Sequence, residues 1–216
     1  MLFDMDGTLL DSEKVWDVAL DDLAQRLGGR LSTQARVAMI GSNLARSVGL
    51  VHTDLGVAAD PGDSSAYLLD RAEGLFRTSL VWKPGALELL MHCRAAGIAT
   101  ALVTSTVRRL TDIALDTMGR ELFTVSVCGD ETAHAKPAPD PYLRATVLLG
   151  VPAGNCVAVE DSPTGIASAE AAGCAVIAVP SETTVDPEPG TWVRDSLVGL
   201  TVEDLTGFVA SRASRR

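Results

Sequence analysis

Hydrophobic and polar positions follow two different periods along this chain. Between residues 13 and 80, apolar side chains recur at intervals of three and four positions, which is the period of an amphipathic helix. Beyond Pro84-Gly85, short apolar runs alternate with helical segments that end at glycine. The first region is therefore predicted to be helical, and the second to be a series of strands and helices.

These patterns predict the position of each element. In the first region, helices are predicted at residues 13–27, 44–55 and 65–80. In the second, helices are predicted at 86–96, 107–118, 140–150 and 163–172, and strands at 98–103, 123–127, 157–159 and 175–179. Strands that alternate with helices are typical of an α/β fold with a doubly wound parallel sheet. The apolar stub before Asp4 supplies one more strand, so we predict a core domain at 1–12 and 83–216 with a helical insertion at 13–82.

Composition sets the class of protein. The chain has 216 residues, of which 47% are hydrophobic and 21% charged, so it can bury a full core and carry an insertion. Its apolar stretches are too short to span a bilayer, and the N-terminus lacks the order of a signal peptide. We expect a cytoplasmic protein. No large apolar repeat is left unassigned, so we also expect a monomer.

The net charge limits the possible partners. At −10, it argues against nucleic acid or an anionic membrane as a partner, because both favour a basic surface. An anionic substrate must therefore be bound by a local positive cluster or a metal ion. The cysteines have no metal-binding spacing and lie in apolar contexts, so buried thiols are predicted at Cys93, Cys128, Cys156 and Cys174.

Two carboxylates close to the N-terminus are the first candidate for chemistry. In the run Asp4-Met5-Asp6-Gly7-Thr8, a strand that ends at Asp4 and turns at Gly7 can bring both aspartates into one cavity. Such a pair can bind a hard cation and leave a carboxylate oxygen available for attack. Alone this signal is weak, because acidic turns are common and some sugar-nucleotide transferases also use an Asp-X-Asp to hold a metal.

Further polar side chains follow the predicted strands at their carboxyl ends, where ligands bind in such sheets. They are Thr104-Ser105, Lys136 and Glu160-Asp161. Each also fits a simpler role: Thr104 as a helix cap, Lys136 as a solvated loop charge, and Glu160-Asp161 as a cap for the next helix. Together with Asp4 and Asp6 they make up the set that phosphoryl transfer to a carboxylate requires.

Four ordered motifs, DMDGT, VTS, KPAPDPY and VEDSPTGIASAEAAG, resemble the signature motifs of the haloacid dehalogenase superfamily. The helical insertion is similar to the small cap of the branch that contains beta-phosphoglucomutase and many sugar-phosphate phosphatases. The resemblance implies a Rossmann-like core and a Mg²⁺-dependent phosphatase for a small phosphorylated metabolite, a sugar phosphate in particular. The family's chloride-releasing dehalogenases lack the second aspartate of the first motif, whereas Asp6 is present here.

The resemblance also implies a role for each matching residue. Asp4 would be the nucleophile that forms an aspartyl-phosphate, kept ionised by Mg²⁺ and by Lys136. Asp6 would protonate the leaving alkoxide and then deprotonate the attacking water. Thr104 and the Ser105 amide would bind the transferred phosphoryl group.

The metal would be held by oxygen ligands from three motif residues. Asp4 and Asp161 would contribute carboxylates, and Asp6 its backbone carbonyl. Glu160 would either bind the metal directly or contact the residues that bind it. Gly7 and Thr8 would lie in a short flap that links closure of the cap to the site.

Two departures from the mutase pattern bear on the substrate. Leu44 and Val107 stand where the mutase has cations that bind the distal phosphate of its sugar, which favours hydrolysis over isomerisation. Other arginines are available as substitutes: Arg46, Arg71, Arg77 and Arg108.

Two further alternatives stay open on the sequence alone. Trp16 replaces a histidine of the mutase cap, and could either stack on a sugar or belong to the helix core. A binding or regulatory protein that retains the fold without turnover is the rival to an enzyme. The presence of all the motif residues disfavours that rival, because such a protein has no chemical need for them.

Overall fold

The computed structural model describes residues 1–181 and 191–213. In these residues the strands are β1 (Leu2–Phe3), β2 (Ala101–Val103), β3 (Val125–Val127), β4 (Val157–Glu160), β5 (Ala175–Ala178) and β6 (Thr191–Val193). They form one parallel sheet in the order β3-β2-β1-β4-β5-β6. The predicted α/β fold with a parallel sheet is confirmed.

The α-helices fall into two groups along the chain. Between β1 and β2, the first group consists of α1 (Glu13–Arg26), α2 (Thr33–Met39), α3 (Leu44–Leu55) and α4 (Pro61–Ser79), which we call the cap helices, followed by α5 (Ala86–Ala95). The others are α6 (Arg108–Met118), α7 (Asp140–Leu149), α8 (Pro163–Ala171) and α9 (Val202–Ala213). α1 and α3 pack on α4, and α4 also packs on α6.

Helices cover both faces of the sheet, because successive strand residues point to opposite sides. Phe3 packs on the side that contains Leu89 of α5 and Leu110 of α6. Leu2 packs on the other side, which contains Tyr142 of α7. Both residues of β1 are fully buried, so a two-residue strand is enough to occupy the middle of the sheet. All four cysteines are buried, as predicted.

The order of the strands places the candidate site. The chain winds outwards from β1 to β3 on one side, and from β4 to β6 on the other, so the direction of winding reverses between β1 and β4. Ligands bind at the carboxyl ends of the strands on either side of such a reversal. The backbone N–H of Asp4 donates to the Val159 carbonyl at 3.0 Å, which places the first motif beside Glu160 and Asp161.

Several element boundaries differ from the sequence prediction. α4 begins at Pro61 rather than at residue 65, because the Asp60 side chain accepts a hydrogen bond from the Asp63 N–H and caps the helix. β2 begins at Ala101, three residues later than predicted. Three of these strands and α-helices were not predicted individually, namely α2, β6 and α9.

The division into a core at 1–12 and 83–216 and an insertion at 13–82 stays a prediction. Residues 182–190 and 214–216 of that range lie outside the described residues. Within the described residues, we find no helix with both the length and the apolar character that a membrane span needs.

Candidate active site

A buried lysine lies at the centre of the candidate site. Lys136 follows β3, and its Nζ donates to Asp4 Oδ1 at 2.7 Å, to Glu160 Oε1 at 2.6 Å and to the Val103 carbonyl at 2.8 Å. The exposed fractions of the Lys136, Asp4 and Glu160 side chains are 2%, 8% and 0%. The solvated-loop interpretation of Lys136 is therefore wrong.

Glu160 is held from several directions. Tyr142 Oη donates to Glu160 Oε1 at 2.7 Å, and Ser162 Oγ donates to Oε2 at 3.3 Å. The Gly165 backbone lies so close that a Cβ there would be 1.9 Å from Oε1, so this position requires glycine. With Lys136 as a third donor, Glu160 is in a position to orient the lysine that contacts Asp4.

Asp161 completes a buried acidic cluster with Asp4 and Glu160. One carboxylate oxygen from each of the three lies within 4.8 Å of the others. Thr8 Oγ1 donates to Asp161 Oδ1 at 3.3 Å. Gly7 has φ +78°, and a Cβ there would be 2.1 Å from Asp161 Oδ2. Only glycine at this position therefore lets the turn of the first motif come so close to Asp161.

The cluster carries more negative than positive charge. Burial and the charge of Glu160 raise the pKa of Asp4 to about 7, against the opposing effect of Lys136. Burial, Asp4 and Glu160 likewise raise the pKa of Asp161 well above its ordinary value. Burial alone would lower the pKa of Lys136, but Asp4 and Glu160 hold it above the ordinary value, so the ammonium stays charged.

This charge balance and the oxygen-only donor set fit a divalent cation. When all three carboxylates are ionised, they and the one ammonium leave two excess negative charges in a buried space, which Mg²⁺ would neutralise. Asp4 and Asp161 are the residues best suited to hold the ion, because Glu160 is already occupied by Lys136, Tyr142 and Ser162. The Asp6 carboxylate is not part of the cluster, and a metal role for its backbone carbonyl stays a prediction.

Asp6 is the point where several elements meet. Its Oδ1 accepts hydrogen bonds from Ser12 Oγ at 2.7 Å and from Trp16 Nε1 at 2.9 Å. Its Oδ2 accepts from Thr106 Oγ1 at 2.8 Å and from Thr104 Oγ1 at 3.2 Å. Trp16 lies on cap helix α1, whereas the two threonines follow β2, so the carboxylate of Asp6 joins the cap helices to the sheet.

Trp16 has a role that neither sequence alternative described. Besides its bond to Asp6, its ring packs edge-on against Phe76 of α4, with ring centroids 5.7 Å apart, and it lines the cavity above the site. The packing on Phe76 agrees with the core alternative, whereas the sequence did not predict the bond to Asp6.

The predicted capping roles are wrong. Ser162, not Glu160 or Asp161, caps α8 through its side chain. Thr104 lies four residues before α6 and is buried, with its hydroxyl accepting from the Thr106 N–H at 3.0 Å. Ser105 lines the cavity beside these residues. The roles of Thr104 and Ser105 in binding phosphate stay predictions.

Among the site residues that were not found from the sequence are Tyr142, Thr106 and Ser12. Tyr142 lies inside the KPAPDPY motif, and Thr106 follows the VTS motif, so both were within reach of a motif-based search. Ser12 carries no such signal, because a serine before a helix is an ordinary cap. Its side chain makes no capping bond and donates to Asp6 instead.

A cavity of about 200 Å³ lies between the acidic cluster and the cap helices. Its volume is below the roughly 300–1,000 Å³ of sites for drug-sized ligands, which suits a small metabolite. Asp4, Asp6, Lys136 and Asp161 line one end. Leu44 and Val107 both line the wall, so two positions where the mutase has cations are apolar in this cavity.

The fold and this arrangement of carboxylates and lysine define a hydrolase of the haloacid dehalogenase type. A family model for haloacid dehalogenase-like hydrolases matches residues 1–173. The chain therefore belongs to this family, and the prediction from the sequence motifs is confirmed.

Individual relatives show which members of the family the chain resembles. It is 33% identical over 196 residues to protein CbbY of Rhodobacter capsulatus, covering 85% of this chain and 86% of the relative. It is 35% identical over 178 residues to hexitol phosphatase A of Escherichia coli, covering 82% and 81%. The structure of a CbbY variant from Rhodobacter sphaeroides in complex with xylulose-(1,5)bisphosphate aligns with a TM-score of 0.84 and 27% identity over 94% of this chain and 97% of that one.

Proposed function

We propose that this protein is a Mg²⁺-dependent phosphatase that hydrolyses a small sugar phosphate through an aspartyl-phosphate on Asp4. The observation that carries the proposal is the contact of Asp4 with Lys136 beside an acidic cluster, at the floor of a small cavity. The names of two relatives support the substrate class, since one is a hexitol phosphatase and another binds a sugar bisphosphate. The proposal includes a cap at 13–82, a monomeric state and a cytoplasmic location.

In the first step, a carboxylate oxygen of Asp4 attacks phosphorus, and the bond from phosphorus to the alcohol oxygen breaks. Asp6 donates a proton to that oxygen, and the alcohol leaves. In the second step, Asp6 takes a proton from water as the water attacks the aspartyl-phosphate. Asp4 and inorganic phosphate are then released.

The neighbouring residues make the attack of one anion on another possible. Lys136 neutralises part of the charge on Asp4, and Glu160 keeps the lysine in place. Thr104 and Ser105 bind the oxygens of the transferred group. Mg²⁺, held by Asp4, Asp161 and the Asp6 carbonyl, would reduce the repulsion between Asp4 and the phosphate dianion.

Phosphate release with p-nitrophenyl phosphate, measured with and without Mg²⁺, tests the proposal. Wild-type protein should release phosphate only with Mg²⁺, and Asp4→Asn should lose about 10⁴-fold or more of the rate, because an amide is a poor nucleophile. Asp11→Asn is the matched control, since Asp11 lies in the same segment but pairs with the exposed Lys14. Mg²⁺-dependent turnover by Asp4→Asn would exclude the aspartyl-phosphate, and no turnover in wild type would favour a binding protein.

A second assay separates hydrolysis from isomerisation. With Leu44 and Val107 in the cavity wall, a bound bisphosphate lacks two charge-assisted contacts worth roughly 1.5–3 kcal/mol each. Incubation with β-glucose 1-phosphate, Mg²⁺ and a trace of the bisphosphate should yield free phosphate and little glucose 6-phosphate. Rapid isomerisation would identify a mutase.

A further inference from the structure

The cap end of the cavity has an unusual balance of charge. Its polar lining includes Asp17, Thr33, Arg36, Ser42 and Ser47, whereas Glu13 lines the floor beside Asp161. Among the described residues that line the whole cavity, the cations are Lys136 at the floor and Arg36 on α2. Since Lys136 is occupied by Asp4 and Glu160, Arg36 is the lining cation that remains for the far end of a substrate.

Arg36 is itself bound to two carboxylates. Its Nη1 donates to Asp17 Oδ1 at 3.0 Å, and its Nη2 donates to Asp21 Oδ1. Both aspartates lie on α1, one turn apart, so they face the same side of the helix. Asp17 lines the cavity, and Asp21 is not in its described lining. One guanidinium and two carboxylates give the three residues a net charge of −1.

The other cap arginines are not in the described lining of the cavity. Arg71 pairs with Asp22. Arg109 of α6 pairs with Asp70 and Glu73. Arg71 was a candidate to replace a missing cation of the mutase, but its ion pair lies outside the described lining of the cavity.

We propose that Arg36, Asp17 and Asp21 form a selectivity element that accepts a neutral, hydroxyl-bearing leaving group and rejects one that carries a second anionic group. The Asp17 carboxylate accepts a bond from a substrate hydroxyl, and the guanidinium, fixed by two carboxylates, donates to a hydroxyl oxygen. A second phosphate there meets a net negative charge. This inference rests on the proposed function and narrows its substrate to the monophosphate of a neutral polyol or sugar.

The CbbY variant from Rhodobacter sphaeroides is described in complex with a sugar bisphosphate. In this chain, the carboxylates of Asp17 and Asp21 neutralise the positive charge of Arg36 at the cap end of the cavity. We therefore expect the cap end of the cavity in this chain to suit a singly phosphorylated substrate.

The test compares two ligands that differ only in the distal phosphate, β-glucose 1-phosphate and β-glucose 1,6-bisphosphate. Each is measured as a competitive inhibitor of p-nitrophenyl phosphate hydrolysis, so the result does not depend on whether it is turned over. Asp21→Asn makes the element neutral, and the double variant Asp17→Asn with Asp21→Asn gives it a charge of +1. Asp22→Asn is the matched control, because it lies on the same helix and removes the same charge beside Arg71.

In the wild type, we expect the bisphosphate to bind more weakly than the monophosphate. Each charge removed should improve the inhibition constant of the bisphosphate relative to that of the monophosphate by roughly fivefold, and by about 25-fold in the double variant. The Asp22→Asn ratio should equal that of wild type.

An unchanged ratio in the double variant would overturn the inference, as would an equal change in Asp22→Asn. The inference would also be overturned if neither ligand inhibited any of the variants. In each of these cases, Mg²⁺-dependent hydrolysis of p-nitrophenyl phosphate would persist, so the proposed function would stand. Loss of that hydrolysis in wild type would instead count against the proposed function.

Discussion

Two groups of ion pairs lie at opposite ends of the cavity and differ in burial. At the floor, the Lys136, Asp4 and Glu160 side chains are at most 8% exposed. At the cap end, Arg36, Asp17 and Asp21 are between 30% and 50% exposed. Removal of one partner from a buried pair costs about 3–5 kcal/mol, whereas an exposed pair contributes about 0–1 kcal/mol.

This difference separates the two tasks of the site. A change at the floor leaves a buried charge without compensation, so it affects folding and chemistry together. A change at the cap end is largely accommodated by water, so it alters which leaving group fits at little cost in stability. The floor is therefore constrained to one chemistry, while the cap end can change its selectivity.

The strongest test of this separation is a substitution of Asp6, which accepts hydrogen bonds both from cap helix α1 and from the threonines that follow β2. Asp6→Asn should lower the rate for a sugar phosphate by about 10²–10⁴-fold, because its poor leaving group needs a proton. The loss should be smaller for p-nitrophenyl phosphate, whose leaving group needs little protonation. Equal losses for the two substrates would show that Asp6 is not the acid.

Substitution of a buried and an exposed lysine compares the two environments directly. Lys136→Met should lower the rate by about 10²–10³-fold and reduce the free energy of unfolding by about 3–5 kcal/mol. Lys14→Met, at an exposed pair with Asp11, should change the free energy of unfolding by less than about 1 kcal/mol. Urea unfolding and steady-state rates measure both effects. Similar costs at the two positions would contradict the assigned burial of Lys136.

Trp16 tests how far the cap helices contribute to the chemistry. Trp16→Phe keeps the ring packing on Phe76 and removes the N–H that donates to Asp6. Loss of one hydrogen bond to a charged group predicts about a tenfold lower kcat for a sugar phosphate, with a smaller change for p-nitrophenyl phosphate. Trp192→Phe, which alters a tryptophan packed on Phe208, is the control. If both variants keep wild-type kcat, Trp16 has a structural role only.

The smallest expected effect is that of Mg²⁺ on thermal stability at two pH values. Because folding raises the pKa of Asp4 from 3.8 to about 7, the folded protein binds more protons than the unfolded chain between these values. Without Mg²⁺, this carboxyl therefore favours the folded state less as the pH rises through that window. Mg²⁺ competes with those protons, so its effect on Tm should be larger at pH 7.5 than at pH 5.5.

At a Mg²⁺ concentration 100 times Kd, we expect Tm at pH 7.5 to rise by about 5–10 °C. Asp161→Asn should lose most of this increase, because it removes a carboxylate of the acidic cluster. Asp195→Asn is the control, since Asp195 is not in that cluster. An equal increase in Tm at both pH values would show that these carboxyls do not bind the ion.

The α/β fold and the residues at the floor were predictable because they depend on local signals. Each strand is a short apolar run, and the polar residue that follows it has a known place in a parallel sheet. Asp4, Lys136, Glu160 and Asp161 were all predicted in this way, and the structure brings them together.

The cap end of the cavity was not predictable for a physical reason. Arg36 meets Asp17 and Asp21 only because the tertiary fold brings α2 beside α1, and no local pattern gives the relative placement of two helices. The Trp16 bond to Asp6 depends on the same placement. The short helix α2, with seven residues, also has too few turns for a clear periodic signal.

The position of β1 in the middle of the sheet has a consequence during protein synthesis. Phe3 pairs with Leu102 of β2 on one side and with Val159 of β4 on the other. At about 5–20 residues per second, β4 leaves the ribosome roughly 8–30 s after β1. Throughout that interval one edge of this apolar strand has no native neighbour, and such unpaired edges promote aggregation. The need for chaperones should therefore last until β4 has been synthesised.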